Sequence, residues 1–127
     1  MKVALDTNRY CDFCKNDPEV VDQVTTAEEV LLPFVVVAEL RAGFLAGTIG
    51  RRNEATLSRF LANERVSILY PDEQTTRVYA GVYAQLRAQG TPIPTNDLWI
   101  AALTIQHNLC LSSRDAHFDH IPQLARC

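Results

Sequence analysis

The sequence predicts an α/β fold, a parallel sheet with helices on both faces, and three observations carry that prediction. Short apolar segments alternate with longer stretches whose apolar residues recur at helical spacing. No repeat, linker or low-complexity tract interrupts the alternation. The 127 residues, 47% apolar and 21% charged, suit one domain spanning residues 1–127 with a real core.

Residues 2–6 form the first short strand, and residues 8–15 a helical turn or two. Asp17-Pro18 opens the next helix with an N-cap followed by Pro at the first position, where a missing N–H does no harm. Val20, Val21 and Val24 give that helix one apolar face. Val30-Leu31-Leu32 is the second strand, and from Pro33 a helix runs to about Ala46. Leu57, Phe60 and Leu61 mark a helix over 51–63, followed by a third strand, Val66–Leu69. Asp72 caps a long helix in which Val78, Tyr79, Val82, Tyr83 and Leu86 fall at helical spacing, ending at Gly90. Thr91-Pro92-Ile93-Pro94 is a rigid loop, and Thr95 caps a helix from Asn96 to His107 whose Trp99 serves the core or a dimer contact. Asn108 suits a left-handed C-cap. Leu109–Leu111 is the fourth strand, and a last short strand is expected near Leu124.

Twelve basic residues face 15 acidic ones, a formal net charge of −3 with a pI near 5.5. That balance speaks against a broad electrostatic grip on polyanions. No apolar run approaches the ~18 residues of a membrane span, and Asp6 interrupts any signal-peptide core. A soluble cytoplasmic protein is expected, without membrane contact. In a reducing compartment all four cysteines are expected as thiols. Cys11 and Cys14 form a C-x-x-C without the second pair that a structural zinc site needs. Cys110 is expected inside a strand.

In a parallel α/β sheet, ligands bind outside the carboxyl ends of the strands. Asp6 directly follows the first strand, and Asp115 follows the fourth within Ser112-Ser113-Arg114-Asp115. Asp97 lies in the first turn of the helix after the Pro-x-Pro loop. Glu39 sits inside the apolar run Pro33–Leu40 and is expected to be buried, with Gly43 one turn on leaving room above it. Singly, each acid has an ordinary alternative: a cap, a helix N-terminus or a turn. Jointly they suggest a carboxylate pocket that needs a cation to offset its repulsion. Oxygen ligands suit Mg²⁺ or Mn²⁺ rather than Zn²⁺. His107, His117 and His120 make no zinc set, and His117 and His120 are expected at the surface. The natural chemistry of such a pocket is metal-assisted phosphodiester hydrolysis, water attacking in line to release a 3′-hydroxyl and a 5′-phosphate.

Four segments in order, Asp6-Thr7-Asn8, Glu39-Leu40-x-x-Gly43, Asn96-Asp97-x-Trp99-Ile100-Ala101-Ala102 and Ser113-Arg114-Asp115-x-His117-Phe118, resemble the PIN-domain ribonucleases of the VapC toxin type. The resemblance covers essentially the whole chain. It implies an α/β/α sandwich around a parallel sheet of four or five strands. It further implies a Mg²⁺- or Mn²⁺-dependent endoribonuclease acting on transfer or ribosomal RNA, a homodimer, and neutralisation by a VapB-type antitoxin. Asp6, Glu39, Asp97 and Asp115 match the metal-binding catalytic acids. Thr7, Asn8, Ser113 and Asp119 match auxiliary positions. Two departures stand out. Pro33-Phe34 replaces a segment that often begins with Ser or Thr, and Asn108 stands where Gly is common. Arg9 and Arg114, next to site acids, are candidates for substrate phosphates.

Competing classes fit less well. A haloacid-dehalogenase-type phosphatase needs a second Asp at position 8, which is Asn, and a downstream Lys, yet none follows Lys15. A receiver domain lacks the same Lys. A non-catalytic binding module of the same fold would be expected to lose one of the four acids.

Overall fold

The computed structural model describes residues 1–127. In chain order the elements are β1 (Lys2–Leu5), α1 (Thr7–Cys14), α2 (Pro18–Thr26), β2 (Glu29–Pro33), α3 (Phe34–Ala46), α4 (Gly50–Leu61), β3 (Val66–Leu69), α5 (Glu73–Gln89), α6 (Thr95–Gln106) and β4 (Cys110–Ser112). A 3₁₀ turn, Ala116–His120, follows β4. The four strands form one sheet in the order β3-β2-β1-β4, every pair parallel. Ala4 pairs with Leu31 on one side and Leu111 on the other, and Leu5 pairs with Ser112. From β1 the chain builds outward through β2 to β3, then returns to add β4 on the opposite side. β1 and β4 therefore flank the topological switch point, where the crevice of an open parallel sheet lies.

Burial explains the strands. Val3, Ala4 and Leu5 of the central strand are fully buried, and Val30, Leu32 and Leu111 join them in one core of 28 residues. Local chemistry sets the helix ends. The Asp17 carboxylate accepts the Glu19 and Val20 N–H groups, with Pro18 in the first turn. Asp72 and Thr75 form a reciprocal capping box at the start of α5. Gly90 closes that helix at φ 74°, and Asn108 adopts φ 53° before β4. Both lie in the left-handed region that Gly and Asn tolerate best. Trp99 packs against Tyr79 at 4.4 Å and Phe34 at 6.0 Å, pinning α6 between α5 and α3. Tyr83 stacks on Tyr79 but stays largely exposed.

Four expectations change. Thr95 is the first residue of α6 rather than its cap, because Pro94 already takes the extended cap conformation. The segment near Leu124 forms a single parallel bridge, Leu111 to Arg126, rather than a fifth strand. β4 is only three residues long and offers that segment a short edge. Cys110 and Cys127 are paired as a disulfide with Cα atoms 5.6 Å apart, because the same bridge lays the chain end alongside β4. Cys11 and Cys14 remain thiols, as expected. Glu39 is exposed, since α3 buries Val35, Val36, Val37 and Leu40 and turns position 39 out of the core. No helix is long and apolar enough to cross a membrane.

Candidate active site

The acids meet at the carboxyl edge beside the switch point. Asp6 leaves β1 as the N-cap of α1, accepting the Arg9 N–H at 2.9 Å through Oδ1. Its Oδ2 accepts the Ser113 hydroxyl. Ser113 Oγ in turn accepts the Asp115 N–H at 3.0 Å. One hydroxyl thus ties the acid after β1 to the acid after β4. Asp97 enters from the first turn of α6, and Glu39 from the outward face of α3. Thr7 Oγ1 donates to Glu39 Oε1 at 2.9 Å and sets the rim.

Asp6, Thr7, Asn8, Glu39, Asp97, Ile100 and Asp115 line one cleft of about 130 Å³. All four predicted acids are brought together, with Thr7, Asn8 and Ser113 beside them. Larger concavities lie elsewhere, about 700 Å³ beside Phe44 and Arg51 and about 450 Å³ beside Cys11 and Cys14. Neither gathers acids, so charge rather than volume marks the site.

Asp6 is 5% exposed, and burial pushes its pKa up; the Ser113 and Arg9 hydrogen bonds oppose the shift, while the Asp115 charge adds to it. Burial likewise raises Asp97, against its hydrogen bond to His117, with the charges of Asp115 and Glu39 reinforcing the rise. Burial is the main cause of both rises, and the neighbouring carboxylates add to it. The donor set therefore fits a hard divalent cation.

Three predicted residues are placed differently. Asp119 pairs with Arg126 at 2.9 Å and does not line the cleft. Arg9 is 4% exposed, its guanidinium held by Asp12, Asp17 and Glu19 at 3.2, 3.9 and 3.3 Å. Arg114 grips Asp12 through two hydrogen bonds of 2.8 and 3.0 Å. Both arginines are thus committed to acids, with Asp12 common to them, and Arg9 has no free face for a phosphate.

By sequence, His117 lies in a matched segment and is expected at the surface, with no role in the site. It is exposed as expected, yet its Nδ1 lies 2.8 Å from Asp97 Oδ2 and 3.1 Å from Asp115 Oδ1. The Asp97 hydrogen bond, helped by the Asp115 charge, raises its pKa. The available signal was its place two residues beyond Asp115, where a turn brings both side chains to one point.

A parallel α/β sheet whose switch point gathers four carboxylates defines a class of protein built around a carboxylate centre. Residues 3–124 match the PIN domain family. The chain is 34% identical to Ribonuclease VapC1 of Haemophilus influenzae strain R2866, over 98% of this chain and 95% of that protein. In three dimensions it is similar to VapBC-1 of nontypeable Haemophilus influenzae, at a TM-score of 0.87 and 30% identity, over 100% of this chain and 97% of that one. DNA-bound VapBC from Salmonella typhimurium gives the same TM-score at 25% identity, over 100% and 97% of the two chains. The chain belongs to the PIN-domain family and, within it, to the VapC type.

Proposed function

We propose that this protein is the toxin of a toxin–antitoxin pair, an endoribonuclease that cuts RNA by hydrolysis at the Asp6–Glu39–Asp97–Asp115 centre and thereby blocks translation. The convergence of these four acids at the switch point is the observation that carries it. Similarity to a ribonuclease of the VapC type supports the reaction class, and similarity to VapBC complexes supports a VapB-type antitoxin as partner. Transfer or ribosomal RNA in the cytoplasm is the substrate, and the working form is a homodimer.

Asp6, Asp97 and Asp115 would hold Mg²⁺ or Mn²⁺, with Glu39 completing the set directly or through water. Such an ion, when bound, supplies charge to polarise the phosphoryl group and the attacking water. The chain's own residues prepare the site. Ser113 ties the Asp6 carboxylate to the Asp115 backbone, and Thr7 aims Glu39. Burial of Asp6 beneath the cleft keeps one carboxylate rigid while the more open Asp97, Asp115 and Glu39 face the substrate side.

Cleavage of total RNA by the purified protein, with cut sites mapped at the ends produced, tests the proposal. Asp97→Asn is expected to lower cleavage by at least about 10²-fold without loss of fold, and excess EDTA to do the same to the unaltered chain. Full cleavage under either condition rejects it.

A further inference from the structure

The carboxylates by themselves do not choose between Mg²⁺ and Mn²⁺, but a nitrogen donor stands among them. His117 Nδ1 is 2.8 Å from Asp97 Oδ2 and 3.1 Å from Asp115 Oδ1. One donor atom from each of the three residues lies within 4.8 Å of the other two. Adjacent ligands of an octahedral ion with bonds of about 2.1 Å stand about 3.0 Å apart. The two spacings from Nδ1 are hydrogen-bond distances that also suit neighbouring corners of one coordination shell.

The turn holds this arrangement. The His117 backbone N–H donates to Asp115 Oδ1 at 2.9 Å, so the acid and the imidazole are fixed relative to each other by the chain between them. Nδ1 is hydrogen-bonded to Asp97; an ion that takes the place of that shared proton, with the ring's own proton on Nε2, meets the Nδ1 lone pair where the two carboxylates converge. The His117 side chain, 47% exposed, stands against two of the acids that line the cleft rather than in the core.

We propose that His117 Nδ1 is a ligand of the ion held by Asp97 and Asp115, and that it biases the centre toward Mn²⁺ over Mg²⁺. Mg²⁺ demands oxygen and keeps its waters, whereas transition ions accept imidazole readily. Mn²⁺ is the one among them at home in an oxygen-rich site. The proposal rests on the carboxylate-centre reading above and names the ion that centre selects.

The test uses the full chain and the metals alone. Mn²⁺ affinity is read from the loss of the free-ion paramagnetic resonance signal, and Mg²⁺ affinity from its displacement of bound Mn²⁺. Pulsed resonance on the Mn²⁺-loaded protein is expected to show coupling to an imidazole nitrogen. His117→Ala is expected to abolish that coupling and weaken Mn²⁺ about tenfold or more, as loss of a contact in a metal site does, while Mg²⁺ changes less than about twofold. His117→Asn, with an amide oxygen near the place of Nδ1, is expected to remove the coupling and narrow the Mn²⁺ to Mg²⁺ preference. Absence of nitrogen coupling in the unaltered protein, or an unchanged affinity ratio in His117→Ala, overturns the proposal and leaves the carboxylate centre standing. Failure of the unaltered protein to bind either ion, together with full RNA cleavage by Asp97→Asn, overturns both.

Discussion

Asp12 shows how a residue outside the cleft organises it. It receives Arg9 from one side and both nitrogens of the Arg114 fork from the other, which clamps the loop carrying Ser113 and Asp115 against α1. The Arg114 hydrogen bond, with Arg9 in support, holds the Asp12 pKa below its ordinary 3.8. A lowered carboxylate contributes stability that is present above the unfolded value and lost as pH falls through the folded one. Asp12→Asn is therefore expected to lower Tm by about 3 °C at pH 7, and its gap from the unaltered protein should close as the pH drops below 3.8. Melting curves at neutral and acid pH check this; a gap that persists in acid would mean Asp12 acts other than through its charge. The arginines themselves invited a different expectation, because adjacency to an acid in sequence resembles a substrate grip. The i,i+3 spacing of Arg9 and Asp12 was the available sign of an internal pair. Nothing local in the sequence announced that Arg114 reaches the same acid across 102 positions.

Among the elements, boundaries with a chemical stop were legible and faces without polar contrast were not. Asp17-Pro18, Asp72, Gly90 and Asn108 each carry a cap or a left-handed position, and the chain turns at each of them. α3 offered no such guide. Its run from Phe34 to Leu40 holds a single polar residue, so periodicity could not say whether Glu39 pointed in or out, and the burial expected of it was wrong. Glycines separate two further helices in the same physical terms. A Cβ on Gly50, the first residue of α4, would collide with the Phe44 carbonyl at the end of α3. A Cβ on Gly81, on the exposed side of α5, would meet nothing. Gly50→Ala is expected to destabilise by about 1–3 kcal/mol, and Gly81→Ala to stabilise by about 1 kcal/mol through helix propensity alone. Urea unfolding of the two variants checks the contrast, and equal midpoints would contradict the packing of α3 on α4.

At the scale of the whole molecule the site follows from topology. Asp6 is separated from Asp97 and Asp115 by most of the chain, yet its place after a parallel strand, like that of Asp115, and the place of Asp97 at a helix start assign all three to one edge. Topology fixes where an element ends but not what a side chain touches, so it locates the acids and leaves the contact of His117 with Asp97 and Asp115 to the structure. The net charge of −3 also acquires a location, since four of the acids crowd a single cleft and the rest of the surface is close to neutral. Crowding of this kind opposes folding, and burial of Asp6 makes it worse. A cation bound only by the folded state must then stabilise the protein by mass action. At a concentration about a hundredfold above its dissociation constant, Mn²⁺ or Mg²⁺ should contribute about 2.7 kcal/mol, a rise in Tm of roughly 10 °C for a chain of this size. EDTA is expected to reverse the rise, and Asp97→Asn to remove most of it. A melting temperature indifferent to divalent ions would mean that the four carboxylates share an edge without sharing a cation.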